Sequence, residues 1–194
     1  MKNKSLLFII IAALLFLRPL AANAANAVRV GDSKWVALGG YGFTHTNMGR
    51  TKVWVDTAFL ALGYERVASE EFGPSLLKGY YSVRVEVPVH YIIAPHNGLM
   101  TGVNFIALWT LTDVSKEYKP YFLAGGGPVY IGPKIYGMSR HLNGTYLLGM
   151  GVDLDVGLAK KLKLEYRFNH ISNGGQEEPN VPLNSSRLLI GFSF

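Results

Sequence analysis

The fold is decided by residues 81–93, which read YSVRVEVPVHYII. Apolar or aromatic side chains occupy every odd position of this stretch, and Ser, Arg, Glu, Pro and His occupy the even positions up to 90. A period of two predicts a β-strand with one apolar face and one polar face. Tyr81 and Tyr91 place aromatic rings near both ends of the apolar face.

Similar alternation recurs along most of the chain. It is clear in residues 103–111, 146–156, 162–168 and 188–194 and weaker in residues 33–44, 51–64 and 119–131, which brings the predicted strands to eight. Segments of about ten alternating residues with aromatic borders are typical of outer-membrane β-barrels. The predicted fold class is therefore all-β, an eight-stranded antiparallel up-and-down transmembrane β-barrel.

A soluble protein is the alternative to this fold. A β-sandwich or a lipocalin-like barrel would turn the same apolar faces inward. The end of the chain favours the membrane barrel, because Phe194 follows apolar residues at alternate positions and this pattern resembles the assembly signal of bacterial outer-membrane proteins. Eight strands enclose only enough space for side chains, so inward charges are expected to pair and the barrel is not expected to be a porin.

Residues 1–24 have the features of a cleaved secretory signal peptide. Two lysines precede an apolar run at residues 6–17 (LLFIIIAALLFL), and Ala22-Asn23-Ala24 provides a cleavage site. Ala27 is a second candidate for the cut. The sequence therefore predicts a signal peptide at residues 1–24 and an outer-membrane barrel at residues 25–194.

Composition narrows the classes of function. A chain with 49% hydrophobic and 16% charged residues is not expected to be disordered. The absence of cysteine excludes disulfide scaffolds, thiolate metal sites and cysteine nucleophiles. The predicted signal peptide carries three of the six net positive charges and the rest are scattered, so no nucleic-acid partner is predicted. No pair of histidines combines metal-ligand spacing with a carboxylate, so no metal is predicted either.

Strand polarity locates a candidate site. Bacterial barrels keep both termini in the periplasm, so the seventh strand ends at the cell surface and residues 172–184 form an external loop. If the flanking strands keep their register, His170, Ser172 and Asn184 share an outward, lipid-facing stripe. Eight residues from Leu162 to His170 span about 26 Å of strand, which puts the imidazole where outer-leaflet acyl chains meet their head groups. Polar groups on that surface cost stability and therefore indicate function.

These residue types suit acyl transfer. A His that is hydrogen-bonded to a Ser can take the hydroxyl proton and make the oxygen a nucleophile, and a third group holds the imidazole. Asn173 and the backbone at Gly174 and Gly175 could offer donors to an oxyanion. Residues i and i+2 of a strand lie about 6.6 Å apart, so the sequence predicts that the strand end curls to bring His170 and Ser172 together.

The stretch FNHISNGG at residues 168–175, followed by Pro179-Asn180 and a last strand ending in Phe194, resembles the lipid A 3-O-deacylase (PagL-like) family. The resemblance implies an eight-stranded outer-membrane barrel that removes the ester-linked acyl chain at position 3 of lipid A. It also implies that His170 is the general base, that Ser172 is the nucleophile, and that Asn173 and the Gly175 amide stabilise the oxyanion.

One position departs from the family's pattern. The third catalytic member is usually Glu, twelve residues after the Ser, and here that position is Asn184. An amide can orient the imidazole but cannot neutralise an imidazolium, so the departure bears on the rate more than on the reaction. Glu177 and Glu178 lie nearby in the sequence and are alternatives for the supporting acid.

The function predicted from the sequence is that of a carboxylic ester hydrolase of the bacterial outer membrane. Its partner is lipid A, or lipopolysaccharide, in the outer leaflet, which the active site faces, and no cofactor is needed. Two alternatives stay open: a non-catalytic barrel with a structural or binding role, and an esterase or phospholipase that acts on another outer-membrane lipid. The sequence also leaves open whether the barrel forms a homodimer.

Overall fold

The computed structural model describes residues 28–156 and 160–194. The predicted signal peptide, including both candidate cleavage sites, lies outside the described residues. The described residues form the strands β1 (Ser33–Thr44), β2 (Asp56–Val67), β3 (Gly79–Ala94), β4 (Gly98–Gly102), β5 (Asn104–Leu111), β6 (Tyr118–Ile131), β7 (Leu142–Asp155), β8 (Lys161–Ser172) and β9 (Leu183–Ser193), with a 3₁₀ turn at Ser75–Leu77. Among these residues, no helix is long and apolar enough to cross a membrane.

The strands form a closed antiparallel barrel of eight wall positions. Neighbouring wall positions pair in chain order, and β9 returns to pair with β1. The strands β4 and β5 occupy one position together, since both pair with β3 on one side and with β6 on the other. The predicted fold class is confirmed.

The largest differences from the predicted strand boundaries occur at three strand starts. β2 begins at Asp56 rather than at residue 51, because residues 51–55 fold inward at the end of the barrel and bury Thr51 and Val55. The predicted strand at residues 103–111 extends back to Gly98 and is interrupted at Val103. β9 begins at Leu183, five residues before the apolar alternation starts, since the polar residues that follow Leu183 also pair with β8.

The apolar faces of the strands lie on the outside of the barrel. On β3, the valines at 83, 85, 87 and 89 are 41–50% exposed, whereas Arg84 and Glu86 are buried in the interior. The outer surface of a soluble barrel would show the opposite arrangement. The barrel therefore has an apolar outer surface, as a membrane barrel requires.

Paired charges fill the middle of the barrel. Arg84 donates to Glu65 at 2.8 Å and to Glu165 at 2.7 Å, and Arg167 donates to Glu86 at 2.7 Å. Glu165 also accepts a bond from Arg167 at 2.6 Å. The three strands that carry these residues, β2, β3 and β8, are thereby linked across the interior, and the pairing expected from the sequence is present.

An apolar layer closes one end of the barrel. It consists of Val55, Ile92, Met100, Val129, Ile131, Ile135, Ile171 and Leu183. This end carries the loops at residues 45–55, 95–97, 132–141 and 173–182, and we call it the site rim. Because Ile171 and Leu183 point into this layer, the side chains on either side of them in β8 and β9 point outward.

Candidate active site

The register between β8 and β9 brings the candidate residues together. His170 on β8 is the direct cross-strand partner of Asn184 on β9. Both residues belong to the outward-facing set, which continues with the exposed Tyr166 on β8 and Leu188 on β9. Ser172 lies two residues after His170 and therefore on the same face. The three side chains form one stripe on the outer wall at the site rim.

His170 bridges the other two side chains. Its Nδ1 lies 2.8 Å from Asn184 Oδ1, and its Nε2 lies 3.2 Å from Ser172 Oγ. An amide oxygen only accepts hydrogen bonds, so Nδ1 carries the proton and Nε2 presents a lone pair to the Ser172 hydroxyl. This arrangement can deprotonate the serine.

The predicted curl of the strand end does not occur. β8 continues to Ser172, which pairs in register with Gly144 on β7. The imidazole itself spans the distance between successive residues of one face, so the contact forms within a regular strand. Consequently both residues are held by backbone pairing rather than by a loop.

The amide of Asn184 is held by the rim loop at residues 45–55. Its Nδ2 donates to the carbonyl of Met48 at 3.0 Å, which leaves Oδ1 facing His170. The Asn184 backbone N–H donates to Thr51 Oγ1 at 3.0 Å, and Thr51 in turn donates to the Pro182 carbonyl at 2.9 Å. These contacts fix both the position and the rotation of the amide group.

The two predicted oxyanion donors lie just beyond Ser172, and both are engaged within the loop. The Gly175 N–H donates to Asn173 Oδ1 at 2.9 Å. The Asn173 Nδ2 donates to the Glu177 carbonyl at 2.7 Å and to Ser139 Oγ at 3.1 Å. In this state the Asn173 side chain shapes the loop, and neither donor is directed at a vacant oxyanion position.

The loop carboxylates make contacts away from His170. Glu177 accepts from Arg140 Nε at 3.0 Å, and Glu178 accepts from the Asn180 backbone N–H at 2.9 Å. The imidazole Nδ1 is contacted by Asn184. Within residues 28–156 and 160–194, no three His, Cys, Asp or Glu side chains lie close enough to hold a metal ion.

A second polar group on the outer wall was missed by the sequence analysis. Ser186 Oγ lies 2.7 Å from His45 Nε2 and 2.8 Å from Tyr166 OH, one outward position along β9 from Asn184. The sequence predicts that His45 lies in a solvated external turn, but the residue continues the outward face of β1 and contacts Ser186. Ser186 is only 4% exposed, so this group does not offer a second accessible nucleophile.

The fold is similar to that of a solved outer-membrane enzyme. A crystal structure described as the outer membrane enzyme PagL matches with a TM-score of 0.54 at 17% identity, covering 82% of this chain and 98% of that one. A solid-state NMR structure of the outer membrane protein AlkL matches with a TM-score of 0.40 at 13% identity, covering 90% of this chain and 95% of that one. No curated protein sequence matches.

The sequence also matches a family model. The matched model is described as lipid A 3-O-deacylase (PagL), and it covers residues 77–193. That span includes β3 to β9 and every candidate site residue, and it exceeds half of the chain. The protein is therefore a β-barrel of the outer-membrane type, and it belongs to the lipid A 3-O-deacylase (PagL) family.

Proposed function

We propose that this protein is a serine esterase of the bacterial outer membrane that hydrolyses the 3-O-linked acyl ester of lipid A. The observation that carries the proposal is the position of His170, which contacts Ser172 and Asn184 on the outer wall of the barrel. A water-soluble substrate would not require a site on an apolar outer surface, whereas the acyl ester of a membrane lipid lies beside that surface.

In the first half of the reaction, Ser172 Oγ attacks the carbonyl carbon of the ester, and His170 Nε2 takes the hydroxyl proton. The tetrahedral intermediate then collapses. The bond between the carbonyl carbon and the sugar oxygen breaks, and the imidazolium gives its proton to that oxygen. The deacylated sugar leaves, and the acyl chain remains on Ser172.

In the second half, water attacks the acyl-serine. His170 takes a proton from the water, and the tetrahedral intermediate releases the fatty acid as the proton returns to Ser172 Oγ. Asn184 Oδ1 accepts a hydrogen bond from His170 Nδ1–H throughout, so the proton stays on Nδ1 and the imidazole keeps the tautomer that both steps require. An amide adds no negative charge, so the imidazolium is stabilised less than it would be beside a carboxylate.

We assign the oxyanion donors to Asn173 and to the Gly175 N–H. For this role the Gly175 N–H must leave Asn173 Oδ1, and one Asn173 Nδ2–H must leave its loop partner, and both must turn toward the substrate. Gly174 and Gly175 have φ of +69° and +76°, and beyond the adjacent residues no heavy atom lies within 4 Å of the place where a Cβ would stand at either residue. Two adjacent glycines in open space permit such a backbone rotation.

The orientation in the membrane completes the proposal. With the chain termini in the periplasm, the site rim lies at the cell surface, and Ser172 faces the outer leaflet, where lipid A resides. A signal peptide at residues 1–24 would provide export.

Mass spectrometry of lipid A tests the reaction. Lipid A is prepared from cells that produce the wild type, Ser172→Ala or Ser186→Ala, with equal amounts of folded protein in the outer membrane. We expect the loss of one 3-linked hydroxyacyl chain with the wild type and Ser186→Ala, and intact lipid A with Ser172→Ala. Intact lipid A with wild-type protein would refute the proposal and favour another lipid substrate or a non-catalytic barrel.

A further inference from the structure

The outer wall beside Ser172 lacks a side chain at one position. The outward residues of β7 are Leu142, Tyr146, Leu148 and Met150, and each is 55–67% exposed. Gly144 interrupts this row, and it is the direct cross-strand partner of Ser172. Partnered Cα atoms of adjacent strands lie about 5 Å apart, so the nucleophile borders directly on the gap.

The gap at Gly144 opens into a groove on the side of β6. The groove has a volume of about 660 Å³ and reaches from Gly127 and Pro128 to Tyr146. Its other end is lined by polar residues of the rim loops, namely Ser139, Arg140, His141, Asn173 and Gln176, and by Asn143 of β7. The groove is therefore polar at the rim and borders the apolar wall of β7 below Gly144.

Arg140 joins the two loops that border the polar end of the groove. Its Nε donates to Glu177 Oε2 at 3.0 Å, and its Nη1 donates to Gln176 Oε1 at 2.6 Å. The loop at residues 132–141 is thereby tied to the loop that follows Ser172. Arg140 stays 44% exposed, so this pairing leaves its side chain accessible from the groove.

The barrel itself does not require glycine at position 144. A Cβ built there would meet only the Ser172 carbonyl oxygen, at 3.7 Å, which is an ordinary contact. Gly126, by contrast, would place a Cβ 2.0 Å from the Thr145 carbonyl oxygen. Glycine weakens a strand, and in a strand it often marks the close approach of a ligand. The free space at Gly144 therefore points to a substrate.

We propose that Gly144 forms the entrance through which the scissile ester reaches Ser172. The sugar head group of the lipid occupies the polar groove toward β6, and the acyl chain follows the apolar wall past Tyr146 and Leu148. This inference rests on the proposed function, since it names the position of the same substrate at the same nucleophile. Gly144 is thus a specificity-determining residue, because its missing side chain admits an ester that carries a bulky head group.

The test compares side chains of increasing size at position 144. The variants are Gly144→Ala, Gly144→Val and Gly144→Leu. If Gly144→Leu does not fold, Gly144→Val still tests the effect of a bulky side chain, since β-branched residues favour strands. Gly39→Leu is the matched control. Gly39 pairs with Ile190 on the outer wall of β1, and a Cβ there meets only Leu60 Cδ2 at 3.4 Å and the Phe59 carbonyl oxygen at 3.7 Å.

Deacylation is measured by mass spectrometry of lipid A at matched amounts of folded protein. We expect Gly39→Leu to equal the wild type, and Gly144→Val or Gly144→Leu to lose about 100-fold, because misplacing the ester by about 1 Å has an effect of that size. Gly144→Ala should fall between them. Wild-type rates in the Val or Leu variant, or an equal loss in Gly39→Leu, would overturn the inference. An inactive wild type would instead refute the proposed function.

Discussion

Asn184 offers the sharpest test of how the imidazole is held. Its Oδ1 lies 2.8 Å from His170 Nδ1, and its Nδ2 lies 3.0 Å from the Met48 carbonyl oxygen. Asn184→Ala removes both contacts and leaves the backbone bond from Asn184 N–H to Thr51 in place. The variant therefore frees the imidazole to rotate and to change its tautomer while the strand keeps its register.

The expected rate decrease in Asn184→Ala follows from the hydrogen bond that is lost. A neutral hydrogen bond contributes about 1 kcal/mol, and the wrong tautomer adds to the loss because it presents N–H instead of a lone pair to Ser172. A barrier increase of about 1.4–2.8 kcal/mol corresponds to a rate decrease of about 10–100-fold. Replacing the charged third member of a serine protease triad lowers the rate by about 10⁴-fold, so removing a neutral amide should lower it by less.

Asn184→Asp separates orientation from charge. A carboxylate gains a charge-assisted bond to the imidazolium, about 2 kcal/mol, and it loses the bond to Met48, about 1 kcal/mol. The difference of about 1 kcal/mol predicts a rate about fivefold above the wild type. We therefore expect Asn184 to affect how fast the reaction runs rather than which reaction occurs.

The assay is the initial rate of fatty acid release from purified lipid A by protein in detergent micelles. Folding is checked for each variant by the shift in electrophoretic mobility between unheated and boiled samples. A rate for Asn184→Ala equal to that of the wild type would refute the reasoning, because the imidazole would then need no support from this side chain. A rate for Asn184→Asp below that of Asn184→Ala would refute the role given to charge.

Three further predictions concern the interior and the loops. Arg167→Ala leaves Glu86 and Glu165 underpaired inside the barrel and should lower the free energy of unfolding by about 3–5 kcal/mol. Arg140→Ala breaks an exposed ion pair and should lower it by less than about 1 kcal/mol. Both effects are measured from the midpoint of thermal unfolding on gels. Asn173→Ala removes hydrogen bonds to Gly175, Glu177 and Ser139, so the deacylation rate should fall about 100-fold and protease should cut the loop faster. Wild-type rates of deacylation and of proteolysis would argue against the oxyanion role and the loop-stabilising role of Asn173. The deacylation rate of Glu178→Gln should stay within about twofold of the wild type, because the Glu178 carboxylate contacts Asn180. A large loss of activity would instead support Glu178 as the acid that orients His170.

The alternation of side chains was sufficient to predict most of the barrel. Because side chains in a strand repeat every two residues, the parity of Phe168 extended to His170 predicted that the imidazole points outward, and the register of β8 with β9 agrees. The start of β9 was misplaced because Asn184, Ser185, Ser186 and Arg187 interrupt the apolar pattern. These residues pair as a strand even though the outward positions among them are polar.

The contacts that complete the site depend on distant parts of the chain. Met48 lies 136 residues before Asn184, and no local pattern relates them. The buried packing of Thr51 and Val55 turned a predicted strand segment into the loop that holds Asn184. His45 was within reach of sequence reasoning, since the outward parity of β1 extends one residue past Thr44, but its partner Ser186 follows only from the pairing of β1 with β9.

The central claim is that Ser172 is a nucleophile activated by His170 on the outer wall of the barrel. The most direct measurement is the reaction of the purified, folded protein with a fluorophosphonate, followed by mass spectrometry of its peptides. The account predicts one adduct, on Ser172, with deacylation lost in proportion to labelling and with labelling abolished in His170→Asn. An adduct on a different serine, or full deacylase activity in protein whose Ser172 is labelled, would contradict it.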